Sequence, residues 1–330
     1  MAIAHILFNP LSGNGECLDD AKLLEALIQD TVMLIDITRI TNYSVFLGGL
    51  ENDDYLIIAG GDGTLNRFAN DTDGIEIPQK ILYFPTGTGN DFACDLGKKP
   101  YSNPFPINRY IKRLPTVEVK GKTYRFLNAV GFGIDGYCCQ VGDELRKSPD
   151  KKVNYTAIAI KGLLRHYSPK NAKITVDGVA HTFQKVWIAP TMNGKYYGGG
   201  MMAAPDQDRL SEDRTLSLMI FHGAGRLRTL CVFPSIFQGE HIKHTRMVTV
   251  LTGHEITVEF DQPAPLQIDG ETILDVTEYT ARSALCDSTQ AADQYGSHRS
   301  ACFCVERISG TGTGRNARFE QRPVRFLSNV

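Results

Sequence analysis

Three short apolar runs each end in a glycine-rich loop within the first 93 residues: "HILFNPLSG", "LIIAGGDGT" and "ILYFPTGTGN". A short apolar run bounded by turn signals reads as a strand buried on both faces, the condition of a parallel sheet. Helical spacing follows each loop, at Asp19–Leu27, at Leu65, Phe68 and Ala69, and from Asp91. "MLIDIT" reads as a further strand. Strand, loop and helix in repeated order predict an α/β domain on a parallel sheet with helices on both faces. Ligands of such sheets bind beyond the carboxyl ends of the strands. All three glycine loops lie at that end, so they can converge on one ligand.

The loop Gly60, Gly61, Asp62, Gly63, Thr64 poses a specific problem. Glycines let a ligand approach the backbone, and a helix start offers amide N–H groups and partial positive charge, so a phosphate fits. The same holds for Gly87 to Gly89. A carboxylate at Asp62 would repel that phosphate unless a cation or a sugar hydroxyl lies between them. Asp62 and Asp91 could instead cap helices, the commonest work of aspartate at such places. Glycines flank Asp62, so its side chain is expected to be free to reach a ligand.

From about Pro115 the pattern changes to short strand-like runs separated by turn residues, among them "TVEV", "TYRFLNAVGFGID", "QKVWIAPTMN", "EITVEF" and "PLQIDG". That predicts an antiparallel sandwich. Helical pieces interrupt it at "VNYTAIAIKGLLRHY" and "GRLRTLCVFPSIFQGEH". Residues 287–330 hold six arginines against four carboxylates, with Gly, Ser and Thr clustered and no hydrophobic period, and are expected to form a flexible tail. The expected division is 1–114, 115–286 and 287–330.

Net charge is −2, so no global field favours nucleic acid. No stretch reaches the ~18 apolar residues of a membrane span, and no basic region precedes the N-terminal apolar run. The eight cysteines are scattered with no CxxC pair, which reads as reduced intracellular thiols. His241 and His244 lack a clear third ligand and read as solvated. Lys161, Arg165 and Lys243 are a sparse patch that could contact anionic lipid heads.

The motifs "NPLSG" (Asn9 to Gly13), "GGDGTLN" (Gly60 to Asn66) and "PTGTGNDFA" (Pro85 to Ala93), with "YYGGGMMAAP", "RLSEDRTLSL" and "QIDGE" later, resemble the diacylglycerol kinase catalytic family, whose bacterial lipid kinases are similar to sphingosine kinases. The resemblance covers about residues 1–285. It implies an NAD kinase/diacylglycerol kinase-like α/β nucleotide domain, a β-sandwich domain and a cleft between them. It implies ATP held by Asn9, Pro10, Ser12, Gly13, Gly60, Gly61, Gly63, Thr64, Asn66, Gly87, Thr88 and Asn90, with Thr41 a looser match. Asp62 and Asp91 match aspartates near nucleotide and magnesium, and Glu271 matches the general base, with Asp269 the neighbouring carboxylate. Asp213 matches a structural Mg2+ ligand beside the carbonyls of Arg209 and Thr215, with Glu118 in the same set.

Three positions depart from the family pattern. Glu118 stands where aspartate is frequent, Arg214 where glycine follows the metal aspartate, and Cys94 where some relatives carry a basic residue. An extra residue before Arg214 leaves Glu212 as an alternative ligand. The resemblance implies a cytoplasmic ATP- and magnesium-dependent lipid kinase acting on diacylglycerol or a related lipid, transiently at the membrane surface, with a homodimer left open. Rival readings are an NAD kinase-like enzyme and a nucleotide-binding regulator without transfer activity.

Overall fold

A computed structural model describes residues 2–12, 15–146 and 155–284. The tail expected over 287–330 and the site residue Gly13 lie outside the described residues.

The N-terminal domain is α/β. Strands β1 (Ile3–Phe8), β2 (Thr31–Asp36), β3 (Tyr55–Gly60) and β4 (Lys80–Pro85) run parallel in the order β2-β1-β3-β4. A fifth strand, β5 (Phe105–Pro106), pairs antiparallel with β4, so the expected parallel sheet is mixed at one edge. Alternation along the strands feeds both faces. Ile6 and Ile57 pack with Cys17, Ala21 and Leu24 of α1 (Cys17–Glu25). Leu7, Leu56 and Ile58 pack with Leu65 and Phe68 of α3 (Asp62–Asp71). Between them come α2 (Tyr43–Gly48), and later α4 (Asp91–Asp95) and α5 (Asn108–Ile111). The strand order reverses at β1 and β3, so Asn9 and Gly61 flank the crevice where such a sheet takes its ligand.

The C-terminal domain is a sandwich of ten antiparallel strands. They are β6 (Thr116–Val119), β7 (Lys122–Arg125), β8 (Ala129–Gly133), β9 (Lys170–Val176), β10 (Val179–Val186), β11 (Ile188–Met192), β12 (Leu216–Phe221), β13 (Val248–Gly253), β14 (Glu255–Ile268) and β15 (Glu271–Arg282). One long strand lets the sheet close on its own core. β14 pairs with β9 through Ile256–Phe260 and with β8 through Leu266–Ile268. The β14–β15 register shifts between Glu259 and Leu266, a span holding Pro263 and Pro265. Proline donates no ladder hydrogen bond, and bulges are where strands change sheets. Val130, Phe132, Leu218, Val258, Leu266 and Tyr279 fill the interior.

The run "TYRFLNAVGFGID" is not one strand. It divides into β7 and β8, and the chain then enters α6 (Ile134–Arg146), a helix the strand-like reading passed over. The break falls at Leu127–Ala129, whose N–H groups bond a distant carboxylate. The two expected helical pieces appear as α7 (Tyr155–Lys161) with a wider turn over Gly162–His166, and α8 (Arg226–Val232) with a 3-10 turn over Phe233–Gln238. No helix among the described residues is long and apolar enough to cross a membrane.

Candidate active site

The glycine loops meet backbone to backbone. A Cβ on Gly61 would lie 3.1 Å from the Gly87 Cα, and a Cβ on Gly87 would collide with the Gly61 Cα. Side chains fasten the loops. Gly61 N–H donates to Ser12 Oγ at 3.2 Å, and Asn9 Nδ2 donates to Thr64 Oγ1 at 3.0 Å. Asn90, left-handed at φ 51°, accepts from Gly87 N–H at 3.0 Å and closes the third loop on itself. The Gly61 and Gly87 amides are therefore engaged within the protein. The N–H groups of Asp62, Gly63 and Thr64, in the first turn of α3, have no carbonyl within the helix to bond.

Beyond these loops opens a cleft of about 730 Å³, lined by Asn9, Ser12, Gly61, Asp62, Gly63, Thr64, Gly87, Thr88 and, from the sandwich domain, Glu271. Its volume suits a small-molecule site. Ile37, Thr38 and Tyr43 also line it, whereas Thr41 is exposed and does not. Ile37 and Thr38 follow β2, and Tyr43 begins α2. A fourth carboxyl-end loop was the available signal for them. Asp36 accepts from Thr38 N–H at 3.0 Å and ends β2 in a 3-10 turn, short of the expected "MLIDIT" strand. Pro10, Gly60, Asn66 and Asn90 are not among the lining residues. A Cβ on Gly60 would stand 2.7 Å from the Thr64 Cβ, so this glycine makes room inside the loop. With its amide turned to satisfy its neighbours, Asn66 donates to Asp269 Oδ2 at 3.3 Å.

Three carboxylates pack behind the cleft. Asp62 is not free: it accepts from Asp91 N–H at 2.7 Å and from Phe92 N–H at 3.1 Å, capping α4 while still facing the cleft. Asp91 accepts from Gly199 N–H at 2.8 Å and Gly200 N–H at 2.7 Å, which clamps the "GGG" loop of the sandwich domain to α4. Asp269 accepts from Leu127 N–H, from Asn128 N–H at 2.8 Å and from Ala129 N–H at 3.0 Å. Burial pushes all three upward from the usual carboxylate range, Asp269 to about 6. The charge of Asp62 raises the other two further. The buried Arg209 opposes this at Asp62. Its Nε meets Asp95 Oδ2 at 2.5 Å, Nη1 donates to Leu127 O at 3.1 Å, and Nη2 donates to Asn128 Oδ1 at 3.0 Å.

Glu271 sits apart from this network. Asp269 (φ 45°) and Gly270 (φ 92°) make a two-residue hairpin turn with both central residues at positive φ, the geometry that Asp-Gly favours. Ile268 and Glu271 face each other across it. The turn spends Asp269 on the backbone and leaves Glu271 exposed at the cleft. The expected magnesium set is differently engaged. Arg209 O accepts from Arg214 Nη1 at 3.1 Å, Thr215 O accepts from Gln207 Nε2 at 2.8 Å, and Glu118 pairs with Arg282 at 3.0 Å. Asp213 is exposed, and among the described residues no three His, Cys, Asp or Glu side chains gather as a metal site. Arg209 acts here through its side chain.

The family profile described as the diacylglycerol kinase catalytic domain matches residues 4–116, and that of the YegS C-terminal NAD kinase beta sandwich-like domain matches residues 128–282. A Bacillus subtilis protein carrying a lipid-kinase name, YtlR, is 27% identical over 252 residues, 69% of this chain and 77% of its own. A Mycobacterium tuberculosis diacylglycerol kinase is 26% identical over 254 residues, 72% of this chain and 79% of its own. A crystal structure titled as a diacylglycerol kinase from Bacillus anthracis shares the fold at a TM-score of 0.53 and 18% identity, covering 86% of this chain and 94% of that one. With its two glycine loops joined at Gly61 and Gly87 and both profiles matched in order, this chain belongs to the diacylglycerol kinase catalytic family.

Proposed function

We propose that the protein is an ATP-dependent lipid kinase that phosphorylates the hydroxyl of diacylglycerol or a related lipid at a membrane surface. The observation that carries this reading is Glu271, a carboxylate from the sandwich domain exposed at a cleft whose other wall is the glycine loops and the first turn of α3, backbone of a kind suited to phosphate. ATP phosphates fit against the first-turn amides of α3 and the Thr88 loop, with Asn9 and Ser12 holding those loops in place. The lipid hydroxyl attacks the terminal phosphorus, its O–P bond forms, and the bond to the ADP oxygen breaks. Glu271 takes the hydroxyl proton. Asp62 and Asp269 serve poorly as that base, because their oxygens already accept backbone N–H groups.

Magnesium supplies charge neutralisation in phosphoryl transfer. Asp62 is the carboxylate at the cleft wall suited to meet a cation carried by the nucleotide, which reconciles it with phosphates there. The set of Asp213, Glu118 and the carbonyls of Arg209 and Thr215 does not fit that task. None of its members lines the cleft, and Glu118 pairs with Arg282.

The test is phosphate transfer from labelled ATP to a panel of lipids in detergent micelles, with NAD as a competing acceptor. Glu271→Gln is expected to lower kcat by ~10²–10⁴-fold. ATP affinity by calorimetry should hold, since the nucleotide contacts lie in the other domain. Turnover within about threefold of the native chain would remove Glu271 from the chemistry, and label on NAD alone would replace the lipid with a dinucleotide.

A further inference from the structure

A second concavity lies on the sandwich domain, between α8 and the chain leading into β13. This pocket, of about 220 Å³, is lined by Arg228, Lys243, His244, Thr245, Arg246 and Met247. Met247 is buried and apolar, and the other five are exposed. No carboxylate lines the pocket. Lys243 pairs with Glu240 at 2.7 Å, but among the described residues Arg228 and Arg246 have no ion pair. The two guanidinium groups, without a counter-charge of their own, repel one another, and an anion relieves that repulsion. Two guanidinium forks, an ammonium and a hydroxyl are a donor set that matches phosphate oxygens.

The backbone around the pocket is preformed. His244 N–H donates to His241 O at 2.9 Å, and Met247 N–H donates to His244 O at 2.8 Å. His241, read from sequence as solvated, is buried with Nε2 at 3.0 Å from Ala203 O, and this anchors the segment from beneath. A site held in its bound shape spends less on ordering when a ligand arrives. The same helix, α8, presents Leu227 at 75% exposed, next to Arg228. Cations beside exposed apolar side chains suit the boundary between anionic headgroups and acyl chains.

We propose that this pocket binds the phosphate of an anionic phospholipid headgroup and docks the sandwich domain on the membrane. The choice of a lipid over a free anion rests on the lipid-kinase reading above and on Leu227. The pocket shares no residue with the cleft, so its variants test docking separately from phosphate transfer.

The experiment is sedimentation of the full chain with vesicles of phosphatidylcholine, alone or mixed with phosphatidylglycerol. Binding is expected to the mixed vesicles only. It should weaken between about 0.1 M and about 1 M salt, where the screening length falls from ~10 to ~3 Å. Arg228→Ala and Arg246→Ala should each weaken it about fivefold, and the pair together about 25-fold. The double variant should melt like the native chain and keep full turnover on micellar lipid. Unchanged vesicle binding by the double variant would overturn the pocket, as would native binding that ignores phosphatidylglycerol. Inorganic phosphate bound by the native chain without any vesicle binding would overturn the lipid assignment. A chain that docks through the pocket but phosphorylates no lipid leaves the pocket standing and removes the kinase reading.

Discussion

Asp269 and Glu271 stand two residues apart, and the turn between them decides their chemistry. Asp269 points back at three backbone N–H groups, while Glu271 starts the returning strand at the cleft. Asp135, in the first turn of α6, is a different case. Both of its carboxylate oxygens, the Tyr197 and Tyr167 hydroxyls and Gln267 Nε2 are buried with no partner in hydrogen-bond geometry among the described residues. Burial pushes Asp135 from 3.8 up to about 6, although Gly136, Gln267 and Tyr197 lie near enough to lower it. The folded value exceeds the unfolded one, so protonation favours the folded chain. That contribution is full below pH 3.8 and is lost as pH rises through about 6. Asp135→Asn keeps the shape and removes the charge. In urea melts across this range the variant should gain on the native chain as pH rises, by up to about 3 kcal/mol at pH near 8. Parallel curves would show that Asp135 is not the titrating group.

Two loops that touch through glycine Cα atoms have no slack. Gly87→Ala drives a methyl into the Gly61 backbone and forces the loops apart. Overpacking of this kind costs about 1–3 kcal/mol, and the α3 amides would move with the loop. ATP affinity should fall by about tenfold or more, since 1.4 kcal/mol corresponds to that factor. Gly48→Ala at the end of α2 is the contrast, because a Cβ there meets nothing within 4 Å and Gly48 does not line the cleft. Calorimetry and thermal melts on the two variants check this. If Gly87→Ala binds and melts as Gly48→Ala does, the close approach of the loops has no energetic consequence.

The two domains are held in register by Arg209 and Asp91. Arg209 joins Asp95 of α4 to the entrance of β8, and Asp91 joins α4 to the "GGG" loop. Arg209→Lys keeps the charge but not the planar fork, so it strands at least one buried acceptor. We expect a loss of about 2 kcal/mol or more in urea unfolding, with turnover reduced because Glu271 reaches the cleft from the other domain. An unchanged urea midpoint would mean the fork is dispensable. What the sequence determined by itself was local. The buried strands, the glycine loops at their carboxyl ends, the helices on both faces and the Asp-Gly turn follow from residues a few positions apart. The helix α6 escaped because its first residues continue an apolar strand pattern, and backbone capping from Asp269 divides that run. The use of each carboxylate, by contrast, was settled by long-range packing. Asp62 meets the α4 amides 29 residues on, Arg209 meets Asp95 114 residues back, and Asp269 meets Leu127 142 residues back. No local pattern encodes those pairings. They arise because burying a carboxylate or a guanidinium requires partners, and packing alone sets which groups lie within reach.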